Sequence, residues 1–285
     1  MVSIKNILVF GLVLFLPLAA GSRPDNEQPP VIETSLFAQS AQQALDREFP
    51  DSGVSFLLLD ARTGQLNASR WDRATAAIPL GSLAKPFAAL AYGEQHGFRY
   101  PFRNCRGTET GCWRPGGHGN VDLTSAIAFS CNSYFHFLTS DLHAADVSMT
   151  ANQFGLELPD RDAAGTQLAG VGSAWRVSPL RMAHAYLELI RGREQPAIAQ
   201  ILRGMQRSAL EGTGAEVDRA LQSEKALVKT GTAACTHSPH APGDGFAIAM
   251  APAENPRVLL MVRVHGVPGS VAARTAGQML RRIKE

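Results

Sequence analysis

Short apolar runs of strand length stand at both ends of the chain and are missing from its middle. Val54 to Asp60 is rich in Leu with Val and Phe; a turn at Ala61-Arg62-Thr63-Gly64 follows, then Gln65 to Ala68, so the stretch reads as two antiparallel strands. Ala226 to Thr230, Gly245 to Ala251 and Arg257 to His265 are three further strand candidates joined by Pro/Gly turns, and Ser270 to Lys284 closes with a helical period. Between about Ala84 and Arg203 the pattern is helical, broken by Gly-rich loops. Thr34 stands where an N-cap would, ahead of a helix to about Phe49. The expected fold is therefore α/β (α+β): a central antiparallel sheet built from both chain ends, flanked by helices, with an all-helical subdomain inserted. The ends must meet to complete that sheet, which favours one two-lobed unit at residues 34–285 over independent halves.

The composition suits such a unit. With 285 residues, 45% of them hydrophobic and 18% charged, the chain is globular, and a formal net charge of +2 gives no electrostatic footprint for nucleic acid. The first residues read as a separate device. Lys5 precedes the apolar run Ile7 to Ala20, which ends in small residues and falls short of the roughly 20 residues of a membrane-spanning helix. The expectation is a signal peptide over 1–22, a polar linker over 23–33, and an exported, periplasmic or extracytoplasmic protein, membrane-anchored only if the segment is retained.

Export makes the four cysteines relevant, because an oxidising compartment permits disulfides. Cys105 and Cys112 bracket a loop containing Gly107, Thr108 and Gly111, and a disulfide there would close a small ring. Four cysteines allow three connectivities, and the other reading is packed thiols. Cys235, His237 and His240 lie within six residues but sit in a Pro/Gly-rich turn and lack a zinc-site spacing, so no metal is expected there.

Three short motifs carry potential chemistry. Ser82-Leu83-Ala84-Lys85, with Pro86 marking a helix start, puts a hydroxyl and an amine one turn apart. A desolvated lysine can act as the base that a serine nucleophile needs, and a helix N-terminus aims N–H groups at a developing anion. Ser130-Cys131-Asn132 offers a hydroxyl for proton relay and an amide for a peptide carbonyl. Lys229-Thr230-Gly231-Thr232 on a strand edge sets Lys229 and Gly231 on one face, Thr230 and Thr232 on the other, with backbone N–H groups free to pair with an extended peptide. Each alone is an ordinary tripeptide or tetrapeptide of turns, caps and strand ends.

In the order S-x-x-K, S-x-N, K-T-G, the three are the motif set of class A β-lactamases and penicillin-binding proteins. The chain resembles the transpeptidase domain of class B penicillin-binding proteins, elongation-type members in particular. The likeness extends to Cys112-Trp113-Arg114, Gly117-His118-Gly119-Asn120-Val121-Asp122-Leu123, Phe154-Gly155-Leu156, Gly170-Val171-Gly172, Ser178-Pro179-Leu180-Arg181-Met182-Ala183, Glu211-Gly212-Thr213 and Asp244-Gly245-Phe246, and spans about Val54 to His265. The resemblance implies a penicillin-binding serine acyltransferase working on D-alanyl-D-alanine stem peptides of peptidoglycan. Ser82 would be the nucleophile, Lys85 its base, Ser130 and Lys229 the proton path to the leaving amine, and Asn132 the holder of the substrate amide. Thr230, Gly231 and Thr232 would bind the substrate's carboxylate end, and the N–H groups of Ser82 and Thr232 would form an oxyanion hole. No cofactor is implied; a cell-wall synthesis partner is conceivable, and the oligomeric state is open.

Some features depart from the resemblance. From its length the chain is expected to lack the N-terminal pedestal usual in class B members, and Gly155 to Ser178 looks abbreviated. Cys131 and Cys235 flank the second and third motifs, so an approach of the two could let oxidation gate the site. A β-lactamase is the weaker rival, because no E-x-x-L-N segment lies between Asn132 and Lys229, and class D enzymes have a hydrophobic residue where Asn132 stands. An accessory protein that keeps the fold and binds the cell wall is the other.

Overall fold

The computed structural model describes residues 35–235 and 242–284. The expected signal peptide and linker, Thr34, His237 and His240 lie outside the described residues. In chain order the elements are α1 (Leu36–Glu48), β1 (Val54–Asp60), β2 (Leu66–Arg70), β3 (Ile78–Pro79), α2 (Lys85–His96), β4 (Arg103–Cys105), β5 (Gly119–Val121), α3 (Leu123–Ala128), α4 (Asn132–Thr139) and α5 (Ala144–Gln153). They continue with β6 (Arg176–Val177), α6 (Pro179–Arg191), α7 (Pro196–Glu211), α8 (Ala215–Leu221), β7 (Leu227–Ala233), β8 (Asp244–Ala251), β9 (Val258–Val264) and α9 (Gly269–Lys284).

The main sheet has five antiparallel strands in the order β2-β1-β9-β8-β7, so β1 from the N-terminal part pairs directly with β9 from the C-terminal part. The two ends of the chain do build one sheet. Both faces of it are covered. Leu57 and Leu59 of β1 join a core with Leu83, Phe87, Ile248 and Met261, whereas Phe56 and Leu58 join a second core with Leu45, Val217, Leu260 and Met279. A strand buried on both faces needs an unbroken apolar run, which is why β1, β8 and β9 stand out in the sequence without polar alternation.

Helices α2 to α8 are inserted between β2 and β7. The insertion is helical apart from two small strand pairs, β3 with β6 and β4 with β5. α1 is capped by Ser35, whose Oγ accepts from the Ala38 N–H at 3.1 Å. Within the insertion α2 is the buried spine: Lys85 through Gly93 are all buried, and the Tyr186 hydroxyl of α6 donates to the Leu83 carbonyl at 2.9 Å, fixing the turn that leads into it.

The expected Cys105–Cys112 ring is corrected: Cys105 and Cys112 are buried thiols with no disulfide between them. Both sulfurs turn toward His118 Nδ1, at 3.6 Å from Cys105 and 3.4 Å from Cys112, instead of bonding across the loop. The expected approach of Cys131 to Cys235 is corrected as well. Cys131 faces Cys112, with the sulfurs 3.9 Å apart, while Cys235 groups with Asp244 and His265 at the far end of β7 and β8.

Candidate active site

A cavity of about 750 Å³ opens where the edge strand β7 meets the helical insertion, lined by Ser82, Ser130, Asn132, Thr230, Gly231 and Thr232 among others. All three motifs therefore reach one place, although 147 positions separate Ser82 from Lys229 in the sequence numbering.

Ser82 sits in a 3-10 turn, Gly81–Ala84, that runs straight into α2, with Pro86 in the first helical turn. Gly81 makes that turn possible. It has φ +58, and a Cβ on it would come within 2.3 Å of the Thr232 carbonyl oxygen, so the turn nests directly against the backbone of β7. Ser82 is half-buried, and its hydroxyl makes no hydrogen bond among the described residues.

Lys85 follows one turn later and is fully buried. Its Nζ donates to the Ser130 carbonyl at 2.7 Å and to Asn132 Oδ1 at 2.6 Å, and lies 3.3 Å from Ser130 Oγ. The structure thus joins Lys85 to the second motif rather than hydrogen-bonding it to Ser82. Burial lowers its pKa to about 7, against the opposing pull of the nearby Cys131 and Cys112 thiols.

Lys229 approaches from the other wall. It too is fully buried; its Nζ donates to Ser130 Oγ at 3.0 Å and to the Thr230 carbonyl at 2.8 Å. Burial, and then the charge of Lys85, push its pKa well below the ordinary lysine value. Two amines sharing one buried hydroxyl cannot both carry charge cheaply, so the arrangement favours a neutral amine next to Ser130 at neutral pH.

Ser130 holds its place by an unusual backbone. Its φ is +51, the left-handed region that L-residues seldom take. It is the residue after the C-cap of α3: the Ser130 N–H bonds to the Ile127 carbonyl at 3.3 Å and the Cys131 N–H to the Ala126 carbonyl at 3.0 Å, the paired bonds of a Schellman cap, with serine where glycine is usual. The Trp113 indole N–H reaches the carbonyls of Phe129 and Ser130, both at 3.2 Å, and Lys85 also holds the latter. Asn132 then opens α4 with Cys131 as its N-cap.

On β7, alternation works as expected: Lys229 points to Ser130, while Thr230 Oγ1 bonds Thr213 Oγ1 at 2.6 Å and Thr232 Oγ1 accepts from the Gly269 N–H at 2.9 Å. Four residues were not anticipated from sequence as site residues: Trp113, Thr213, Glu216 and Arg219, all lining the cavity. Trp113 and Thr213 lie in stretches that carry the family resemblance, which was the available signal; nothing marked Glu216 or Arg219. The four donors Cys105, Cys112, His118 and Cys131, beneath the Ser130 wall, could hold a metal ion, as could Cys235, Asp244 and His265.

A sheet closed by both chain ends, with a Ser-x-x-Lys turn packed against a Lys-Thr-Gly edge strand, defines the penicillin-binding transpeptidase class of fold. The chain belongs to the family of the penicillin binding protein transpeptidase domain, whose model matches residues 54–283. Among solved structures it is similar to PBP2 of Pseudomonas aeruginosa in complex with WCK 5153, at TM-score 0.71 and 17% identity, covering 86% of this chain and 73% of that one. PBP2 of Helicobacter pylori, solved in complex with MreC, matches at TM-score 0.74 and 18% identity, covering 86% of this chain and 62% of that one. The transpeptidase domain of Burkholderia pseudomallei penicillin-binding protein 3 matches at TM-score 0.66 and 17% identity, covering 87% and 91%. No curated protein matches the chain. Among the described residues no helix is long and apolar enough to cross a membrane.

Proposed function

We propose that the cavity is the active site of a D,D-transpeptidase or D,D-carboxypeptidase that acts on D-alanyl-D-alanine stem peptides of peptidoglycan and is acylated by β-lactams. The observation that carries the reading is the convergence of two buried lysines on Ser130 Oγ at the floor of a cavity that Ser82 lines.

In this reading neutral Lys85 takes the proton of Ser82 as its Oγ attacks the carbonyl carbon of the D-alanyl-D-alanine bond. The tetrahedral oxyanion rests on the N–H groups of Ser82 and Thr232, the latter on the edge strand packed against the Ser82 turn. The C–N bond then breaks, and the departing D-alanine amine receives its proton through Ser130 Oγ, which Lys229 supplies and orients. The acyl group leaves Ser82 for an amine of a second stem peptide, giving a cross-link, or for water, giving a shortened peptide. Asn132 holds the substrate amide, and Thr230 and Thr232, beside Lys229, receive the terminal carboxylate. The protein acts outside the cytoplasm, where its substrate is, and a cell-wall synthesis protein as partner would parallel the complex of the Helicobacter pylori PBP2 with MreC.

A fluorescent penicillin tests the proposal. A stable adduct that disappears in Ser82→Ala supports it; rapid turnover of the drug points to a β-lactamase, and no adduct in the native chain points to a cell-wall accessory protein.

A further inference from the structure

We propose that Cys235, Asp244 and His265 form an exchangeable zinc site that ties together the ends of β7, β8 and β9 beside the cavity. No local spacing links the three, since 30 positions separate Cys235 from His265. The sheet brings them together. Ala233 pairs with Asp244 and Val264 with Gly245, so Asp244 and His265 meet where the ladder ends, and Cys235 lies two residues beyond Ala233. One donor atom from each of the three lies within 4.8 Å of the other two. Gly243, at φ +100, has so little room that a Cβ would come within 2.2 Å of the Ala233 carbonyl oxygen, which presses the chain against β7 just before Asp244. The His265 N–H bonds to the Gly53 carbonyl at 3.0 Å and holds the third donor in line.

The donor set suits zinc. A thiol, an imidazole and a single carboxylate select it over magnesium and calcium, which take oxygen ligands. Cys235 and Asp244 are 5% and 3% exposed and the His265 side chain 24%, so the cluster is closed except on the imidazole side. Three protein ligands leave the fourth tetrahedral position to water. His265 Nδ1 and Asp244 Oδ1 stand 2.9 Å apart, sharing a proton. Zinc bonds of about 2.0–2.2 Å set tetrahedral neighbours about 3.4 Å apart, so the ion replaces that proton and opens the pair by about 0.5 Å. The proton of the neutral imidazole moves to Nε2. The Cys235 thiol gives its proton to water as the Zn–S bond forms, so one proton leaves for each ion bound.

Arg263 is the cation that faces the cluster. It lies two residues before His265 on the same face of β9, over the Trp71 ring at 5.1 Å, where the charges of Asp244 and Cys235 act on it. A fixed positive charge weakens the hold on a second cation, which together with the open position makes the zinc exchangeable. The site borders the machinery of the cavity. Ala233, Ala234 and Pro242 line the cavity, and Thr232 pairs with Gly245, next to Asp244. A bound ion would clamp this end of the edge strand and steady the Thr232 N–H. This coupling rests on the proposed function of the cavity; the binding of the ion does not.

Zinc titration followed by native mass spectrometry, and diffraction at the zinc absorption edge from crystals grown with zinc, test the site. The expected results are one zinc more per chain in the native protein than in Cys235→Ser, and an anomalous peak among the three donor atoms. Cys235→Ser should weaken the binding of this ion by at least about 100-fold, whereas Cys112→Ser, in the other cysteine cluster, should leave it in place. Asp244→Asn, which keeps the shape and removes the charge, is the second variant if Cys235→Ser fails to fold. Equal zinc counts in the native chain and both variants, no peak among the three donors, or zinc held only in millimolar excess overturns the proposal. Fluorescent penicillin labelling with and without zinc reads the coupling separately. Equal labelling removes the coupling, and a chain that binds zinc here but is never labelled refutes the proposed function and leaves the metal site standing.

Discussion

The two walls of the cavity hold their working groups by different means. On the β7 wall, Lys229, Thr230 and Thr232 are placed by a regular ladder, with seven residue pairs in register from Leu227–Met250 to Ala233–Asp244. On the facing wall, Ser130 occupies a left-handed cap position held by Trp113, by Lys85 and by the cysteine-bearing loop behind it. A ladder fixes side chains by repetition, so losing one contact changes little elsewhere. A single cap has no repetition to rely on, and each support carries a larger share.

The largest effects should come from the lysines, and they should differ between the walls. Lys85→Met and Lys229→Met keep the volume but remove the amine, and each should slow penicillin acylation by about 10²–10⁴. Only Lys85→Met also strips one of the two donors from the Ser130 carbonyl and the donor from Asn132 Oδ1, so it should lower stability in urea denaturation more than Lys229→Met does. Equal losses of stability would show that the cap does not depend on Lys85.

Where the walls touch, Gly81→Ala should cost at least about 3 kcal/mol, because it adds a left-handed penalty to a collision with the Thr232 carbonyl. Gly119→Ala, also at positive φ but with open space around its Cβ, should cost only about 1–2 kcal/mol. Denaturant midpoints of the two variants measure the difference, and equal values would remove close approach as the reason for Gly81.

The pH dependence of acylation separates the proposed base from the rest. Burial lowers the Lys85 pKa to about 7, so the amine is neutral above that value and protonated below it. Acylation by a fluorescent penicillin should therefore fall about tenfold per pH unit below 7 and level off above it. A flat profile from pH 5 to 9 would eliminate Lys85 as the group that accepts the Ser82 proton.

The same contrast explains what the sequence made legible. β1 was read at its observed limits, and β8, β9 and α9 to within a residue or so, because an apolar run or a helical period is a repeated signal. The three motifs were found because each is local and their order is informative. β3 and β6 escaped because a two-residue strand has no period. The left-handed Ser130 escaped because nothing in Phe129-Ser130-Cys131 announces a Schellman cap without glycine. The cysteines misled for a related reason: spacing within a loop suggested a ring, whereas the sulfurs were sorted by a fold that brings Cys131 and His118 to the same point. Thr213 lines the cavity and meets Thr230 across 17 positions, a contact that no local pattern announces.

The smallest predicted effect is the most discriminating, because it separates stability from activity at one position. Ser130→Gly places glycine at the cap position that favours it and removes the cost of a left-handed L-residue, so the variant should be more stable by about 1 kcal/mol, less the lost packing of one hydroxyl. The same change deletes the oxygen on which both lysine amines converge, so acylation should drop even as the fold gains. Ser130→Ala is the partner measurement: it removes the same oxygen but keeps the Cβ, and should show the loss of acylation without the gain in stability. If Ser130→Gly is instead less stable than the native chain, the serine hydroxyl holds the cap together, and the backbone strain on this wall is offset by the two lysines themselves.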